Sequence, residues 1–229
     1  MSKPLIDLKL AALATFSLIV GFFAFVVLKS LTTNSVPTLS EQGRSVNLTT
    51  GELNLGVKVI ESTNGWNFVQ FLDYSCDPCR KEEAKIMEEI QEYAPKVGRT
   101  VMLWPNPLKP ESALAARSVL LANSQDGHSG KLQHRNMMVL RSHSKDAILE
   151  MRPPPSIVNK AGTSKESYLS SLMGQPVSTR LRATDTLAKR LGLMGVPAYL
   201  LVSPTGEGWI VGSLEDWKKL VKEKGLTGH

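Results

Sequence analysis

Phe71-Leu72-Asp73-Tyr74-Ser75-Cys76-Asp77-Pro78-Cys79 decides the reading of this chain. The apolar, β-prone run Asn67 to Tyr74 leads into it and reads as a strand. A helix follows to about Tyr93. Ala84, Met87, Ile90 and Tyr93/Ala94 recur there at spacings of three to four, with Lys81, Glu82, Glu89 and Glu92 on other faces. Pro78 is tolerated in a first helical turn, where its missing N–H costs no bond. Cys76 and Cys79 are the only two cysteines of the 229 residues. At the first turn of a helix, two thiols spaced i, i+3 can close a disulfide with each other, and the first can be held as a reactive thiolate. Thiol–disulfide exchange is therefore the leading chemistry.

The pair alone leaves two metal readings open. A structural zinc needs four ligands. There is no second CxxC, and His128, His134, His143 and His229 lack paired i, i+3 or i+4 spacing. Two thiolates with one histidine would suit a soft metal such as copper. His134 reads as a surface or core-edge residue of a helical stretch, and Met137-Met138 as helix packing.

The net charge is +6, but cations alternate with carboxylates along most of the chain, as in KEEAKIMEE and EDWKKLVKEK. This is a solvated surface, including the Lys218, Lys219, Lys222 and Lys224 face, and not a nucleic-acid patch. With 42% hydrophobic residues a core can form without structural disulfides. Leu10 to Leu28 is free of charge and bracketed by Lys9 and Lys29. As a helix it would rise about 28 Å, enough to cross a hydrocarbon core. It is longer than a signal-peptide apolar region, and no Ala-x-Ala pattern follows. We therefore expect an uncleaved anchor at 10–28. Lys3 and Lys9 favour a cytoplasmic segment at 1–9, which places the bulk of the chain outside the cytoplasm.

Residues 29–52 are polar and read as a linker, and the globular domain is expected over 53–226. Val57–Ile60 and Thr100–Trp104 are further strand candidates. Helices are read from Pro110, Lys131, Ser144, Ser164 and Ser178, with Pro153-Pro154-Pro155 as a stiff loop. Gly195 to Val202 reads as a strand, Trp209–Val211 as its returning partner across a Pro204-Thr205-Gly206 turn, and a last helix starts at Ser213 with Leu214, Trp217 and Val221 as its stripe. Trp66, Trp104, Trp209 and Trp217 are expected in the core or along a groove. The order is a mixed α/β fold, with a parallel βαβ unit and an antiparallel hairpin under the last helix.

With the 71–79 stretch, the helical block at about 108–191 and Leu191-Gly192-Leu193-Met194-Gly195-Val196-Pro197-Ala198-Tyr199 together, the chain resembles the DsbA-like branch of the thioredoxin fold over about residues 55–226. The resemblance implies a cis proline at Pro197 beside the cysteines, and backbone pairing of an extended substrate at Val196. It also implies Cys76 as the exposed nucleophile, Cys79 as the resolving partner, and no metal or organic cofactor. The implied partners are unfolded or assembling exported proteins and a redox partner that resets the pair. The expected protein is thus a membrane-anchored oxidoreductase of oxidase type, facing the periplasm or its equivalent. Reductase or isomerase action is an alternative, although residues 30–55 are too short for an isomerase's dimerisation domain. A non-catalytic tethered module or copper delivery on the same fold are others. Two positions depart from the family. Gln70 stands where a buried acid often relays protons to the resolving thiol. Asp77 sits between the cysteines, where a carboxylate disfavours the thiolate, so a potential below that of the family's strongest oxidase is expected.

Overall fold

The computed structural model describes residues 44–140, 144–150 and 165–228. The cytoplasmic segment read at 1–9, the anchor at 10–28, the linker up to residue 43 and the triple-proline loop lie outside the described residues. Among the described residues no helix is long and apolar enough to cross a membrane.

Six strands form one sheet: β1 (Ser45–Asn47), β2 (Val57–Ile60), β3 (Asn67–Leu72), β4 (Gly98–Leu103), β5 (Ala198–Val202) and β6 (Glu207–Val211), in the order β1-β6-β5-β3-β4-β2. β3 and β4 run parallel, joined by helix α2 (Asp77–Tyr93), and the other neighbours are antiparallel. The parallel βαβ unit and the β5–β6 hairpin are those expected from the sequence. Both faces of β3 are covered, which explains its nearly continuous apolar run. Alternation still sorts its side chains. Phe68 packs with Ile86 and Ile90 of α2 and with Trp217 and Val221 of α8 (Leu214–Glu223). Val69 and Phe71 pack on the opposite face against Leu187 and Ala188 of α7 (Gln175–Arg190). Gln70, two residues from Phe68, therefore faces α2 from within an apolar strand.

The helical insert comprises α3 (Pro110–Gln125), α4 (Gly127–Val139), α5 (Lys145–Glu150), α6 (Lys165–Leu172) and α7. Val119, Leu120, Met137 and Leu172 build a core continuous with Leu72, Tyr74 and Cys79. The underside of the redox turn is thus part of the insert's own core.

Two expectations need correction. The end of the stretch read as linker belongs to the domain: β1 joins the sheet and α1 (Thr50–Leu53) follows it. Its composition hid this, because a distant arginine of α7 holds it: Arg190 donates to the Asn47 carbonyl at 3.3 Å and pairs with Glu52 at 2.6 Å. Arg180 holds the residues just after α1, donating to the carbonyls of Leu55 and Gly56 at 2.7 and 2.6 Å. On α2, Ala84 is exposed while Cys79, Ile86 and Ile90 are buried. Ile90 and Ala94 of the expected face are buried; the departure is at Ala84, where the inward face instead takes Glu83 with its partners Arg99 and His134.

The β5–β6 turn fixes β1. Gly206 has φ +88°, and its carbonyl accepts the Leu48 N–H at 2.8 Å. A Cβ at Gly206 would collide with the Leu48 carbonyl oxygen. Gly206→Ala is expected to cost about 2 kcal/mol, read as a lower urea midpoint at unchanged slope.

Candidate active site

Cys76 ends the β3–α2 turn as the N-cap of α2, and its Sγ accepts the Cys79 N–H at 3.3 Å. The two cysteines form a disulfide with Cα atoms 5.3 Å apart. Cys76 is half-buried and Cys79 fully buried. An attacking group thus reaches Cys76 first. A thiolate released there would keep the Cys79 N–H and the positive end of a 17-residue helix.

The Val196–Pro197 peptide bond is cis. It brings the Val196 carbonyl oxygen to 3.8 Å from Cys76 Sγ, while β5 begins only at Ala198. The carbonyl therefore stands at the open end of a strand beside the reactive sulfur. An open cleft of about 510 Å³ lies here, walled by Cys76, Trp104, Pro105, Pro107, Met194 and Val196.

Asp73 fixes this arrangement. Its buried carboxylate accepts the Ser75 N–H and O–H, each at 2.8 Å, the Asn106 N–H at 3.0 Å and the Ser112 O–H. One side chain thus joins the redox turn, the β4–α3 loop and the first turn of α3. Asp73 lay inside the quoted stretch, yet nothing local reveals donors 33 and 39 residues away.

The DSBA-like thioredoxin domain family matches residues 22–222. The chain belongs to this family. The protein is accordingly a thiol–disulfide oxidoreductase; proteins of this family use a redox-active disulfide, and the chain carries the Cys76–Cys79 pair. No curated protein sequence matches the chain. Among solved structures it is similar to a thioredoxin-like oxidoreductase from Silicibacter pomeroyi DSS-3 (TM-score 0.58, 20% identity, covering 77% of this chain and 99% of that one). It is also similar to oxidised BdbD from Bacillus subtilis (0.60, 12%, 80% and 98%). The thiol-disulfide exchange protein alpha-DsbA2 from Wolbachia pipientis is a third (0.53, 20%, 85% and 92%). At these identities the likeness is one of fold.

Within this DsbA-like site, Gln70 is buried as an amide and accepts from the Arg99 guanidinium. The negative charge beneath the pair comes from Glu83 instead, which takes Arg99 on both oxygens at 2.7 and 2.6 Å. His134, expected at the surface or the core edge, is fully buried, because α4 packs it between two partners. Its Nε2 lies 3.2 Å from Glu83 and its Nδ1 2.9 Å from the Tyr74 hydroxyl. A carboxylate only accepts, so Nε2 carries the proton and Nδ1 accepts from Tyr74. Cys76, Cys79 and His134, the ligands a soft metal would need, are thus engaged with one another or with Glu83 and Tyr74. Among the described residues no cluster of three or more His, Cys, Asp or Glu could hold a metal ion.

Burial raises the Glu83 carboxyl, but the bonds and charges of Arg99 and His134 outweigh it and bring its pKa down from 4.5 to about 2. Burial lowers the His134 pKa below 6.5 despite Glu83. Asp77 is exposed and pairs with Arg80, whose hydrogen bond holds its carboxyl below the usual range. The field of Asp77 on Cys76 is therefore partly cancelled by a cation that the sequence pattern did not connect to it. Glu82 likewise turns in to accept the Tyr199 hydroxyl, which burial raises well above its ordinary pKa.

Both Glu83 and His134 have depressed folded pKa values, so the unfolded chain binds more protons and stability is lost as pH is lowered. The His134 part starts to go as pH drops below 6.5, and the Glu83 part between 4.5 and about 2. Glu83→Gln is expected to cost about 3 kcal/mol in denaturant unfolding at pH 7, because it weakens the partner of a buried cation. It should also flatten the stability profile between pH 4.5 and 2.

Proposed function

We propose that this oxidoreductase is a membrane-anchored oxidase of exported proteins, held by residues 10–28 with its domain on the periplasmic or extracytoplasmic side. The observation that carries the exchange reading is Cys76 Sγ at a helix N-terminus, facing an open cleft beside the Val196 carbonyl and cis-Pro197. The oxidase direction is supported by what a Cys76 thiolate would meet: the Cys79 N–H and the positive end of the α2 dipole. These groups favour the reduced pair, which makes the disulfide an electron acceptor. The uncharged run at 10–28 supports the anchor.

The substrate segment lies along Val196 as an added strand. Its thiolate attacks Cys76 Sγ, the Cys76–Cys79 bond breaks, and Cys79 leaves as the thiolate. The substrate's second thiolate then attacks the mixed disulfide and releases Cys76. The substrate dithiol has lost two electrons and two protons, and the pair has gained the electrons. A redox partner must reoxidise it. Gln70 cannot relay the proton to Cys79, so that proton comes through water or another group.

Full-length protein is expected to speed oxidative refolding of a reduced multi-cysteine protein, and Cys76→Ala to abolish this. With a substrate that already carries a disulfide, Cys79→Ala should accumulate the mixed disulfide, visible on a non-reducing gel, because the Cys76 thiolate attacks the substrate disulfide and no Cys79 thiol is there to release it. Alkylation trapping in intact cells should find the pair mostly oxidised. A mostly reduced pair would point to a reductase or isomerase, and no cysteine-dependent activity to a binding module. We further expect a potential below that of the strongest family oxidase. Asp77→Asn, which leaves the Arg80 charge uncancelled, should make the pair more oxidising in titration against glutathione.

A further inference from the structure

The cleft beside Cys76 carries more definition than strand addition requires. Trp104 is a fixed wall: its Nε1–H donates to Asp185 at 3.0 Å and its ring meets Phe71 edge-on at 6.3 Å. Asp185 is held in turn by Lys189 at 2.6 Å. The opposite lip carries Met194, 72% exposed, on the residues leading to Val196. Leu108, 87% exposed, stands on the loop between Pro107 and Lys109, and its own N–H is tied to Asn106 at 2.9 Å. Met194, held out in water on the cleft that Trp104 also lines, with Leu108 on the adjoining loop outside the lining, fits an apolar group of the ligand. Lys109 lines the same cleft and makes no ion pair among the described residues. The other charges nearby are spoken for: Asp77 by Arg80, Lys189 by Asp185, and Asp73 by its four donors.

We propose that the cleft selects polypeptide segments with a bulky apolar side chain and a carboxylate beside the reacting cysteine. The apolar side chain lies between Trp104 and Met194, and the carboxylate at Lys109. This rests on the exchange reading above. The charge term has a chemical consequence. A carboxylate next to a thiol raises its pKa and lowers its thiolate fraction, so such cysteines are slow with ordinary disulfides. Lys109 offsets that penalty at the moment of attack and gives these cysteines an advantage here that they lack in solution. Met194 is unbranched and flexible, which suits apolar groups of varied shape.

The test uses the oxidised full-length protein and synthetic single-cysteine peptides. Their flanking residues are Gly/Gly, Leu/Gly, Leu/Glu or Leu/Lys. Reduction of Cys76–Cys79 is followed by acid quench and mass spectrometry. Each rate is divided by that peptide's rate with a small neutral disulfide, which removes intrinsic thiol reactivity. We expect Leu/Gly to exceed Gly/Gly about tenfold, and Leu/Glu to exceed Leu/Lys about threefold, with the second ratio shrinking in high salt. Lys109→Glu should invert the Glu-over-Lys ratio, and Met194→Ser should reduce the Leu-over-Gly ratio. Both positions are at the surface, so the variants keep the fold. Equal normalised rates for all peptides would overturn the selectivity and leave disulfide exchange standing. An unchanged charge ratio in Lys109→Glu would remove Lys109 from it. No reaction with any peptide would overturn the exchange reading itself.

Discussion

The carboxylate of Asp73 is the constraint on which the redox site depends. Cys76 can be an N-cap only if the chain leaves β3, turns within three residues and enters α2 at a set angle. Asp73 holds the Ser75 backbone and hydroxyl for that turn, and with its remaining lone pairs grips Asn106 and Ser112. A buried carboxylate is costly unless its lone pairs are met, and four donors meet them. The same contacts place the β4–α3 loop as the wall of the cleft. The turn that presents the sulfur and the wall that receives the substrate are therefore set by one side chain.

A second polar set joins β3, β4 and α2 through Gln70, Arg99 and Glu83. β3 alternation aims Gln70 at α2, and the β3–β4 register puts Arg99 beside Phe68 on the neighbouring strand. Arg99 then needs a counter-charge in the interior, which Glu83 supplies from the helix that starts with the active pair. A buried ion pair of this kind adds little net stability over an apolar core, but losing one member is costly. It adds a charged contact to the inward side of α2, whose apolar residues Ile86, Ile90 and Ala94 are buried in the same core.

Much of this was legible. Cys76 and Cys79 are recognisable because their chemistry depends on spacing along a single helix turn. The β5–β6 hairpin and α8 are legible from alternation and capping: Ser213 does accept the Asp216 N–H, and Trp217 and Val221 are buried. Arg180, Glu83 and His134 were not legible in their roles. A charged or imidazole side chain reads as solvated until its partner is known, and those partners lie on other elements. β1 and α1 escaped for the same reason, since Arg190 on α7 anchors them through the Asn47 carbonyl and the Glu52 carboxylate.

The sequence by itself determined the chemistry and the fold class: two thiols at a helix start, a strand on each side, and Val196-Pro197 beyond an insert. The thiols and the flanking strands follow from local spacing and from the periods of strand and helix, while the place of Val196-Pro197 follows from the resemblance to the DsbA-like family. Only the tertiary structure decided the electrostatics and the shape of the site. It paired Asp77 with Arg80, Gln70 with Arg99, and Arg99 with Glu83. It also set Lys109, Trp104 and Met194 around one cleft. Such effects depend on distance in space between residues far apart in the chain, and no local pattern encodes them.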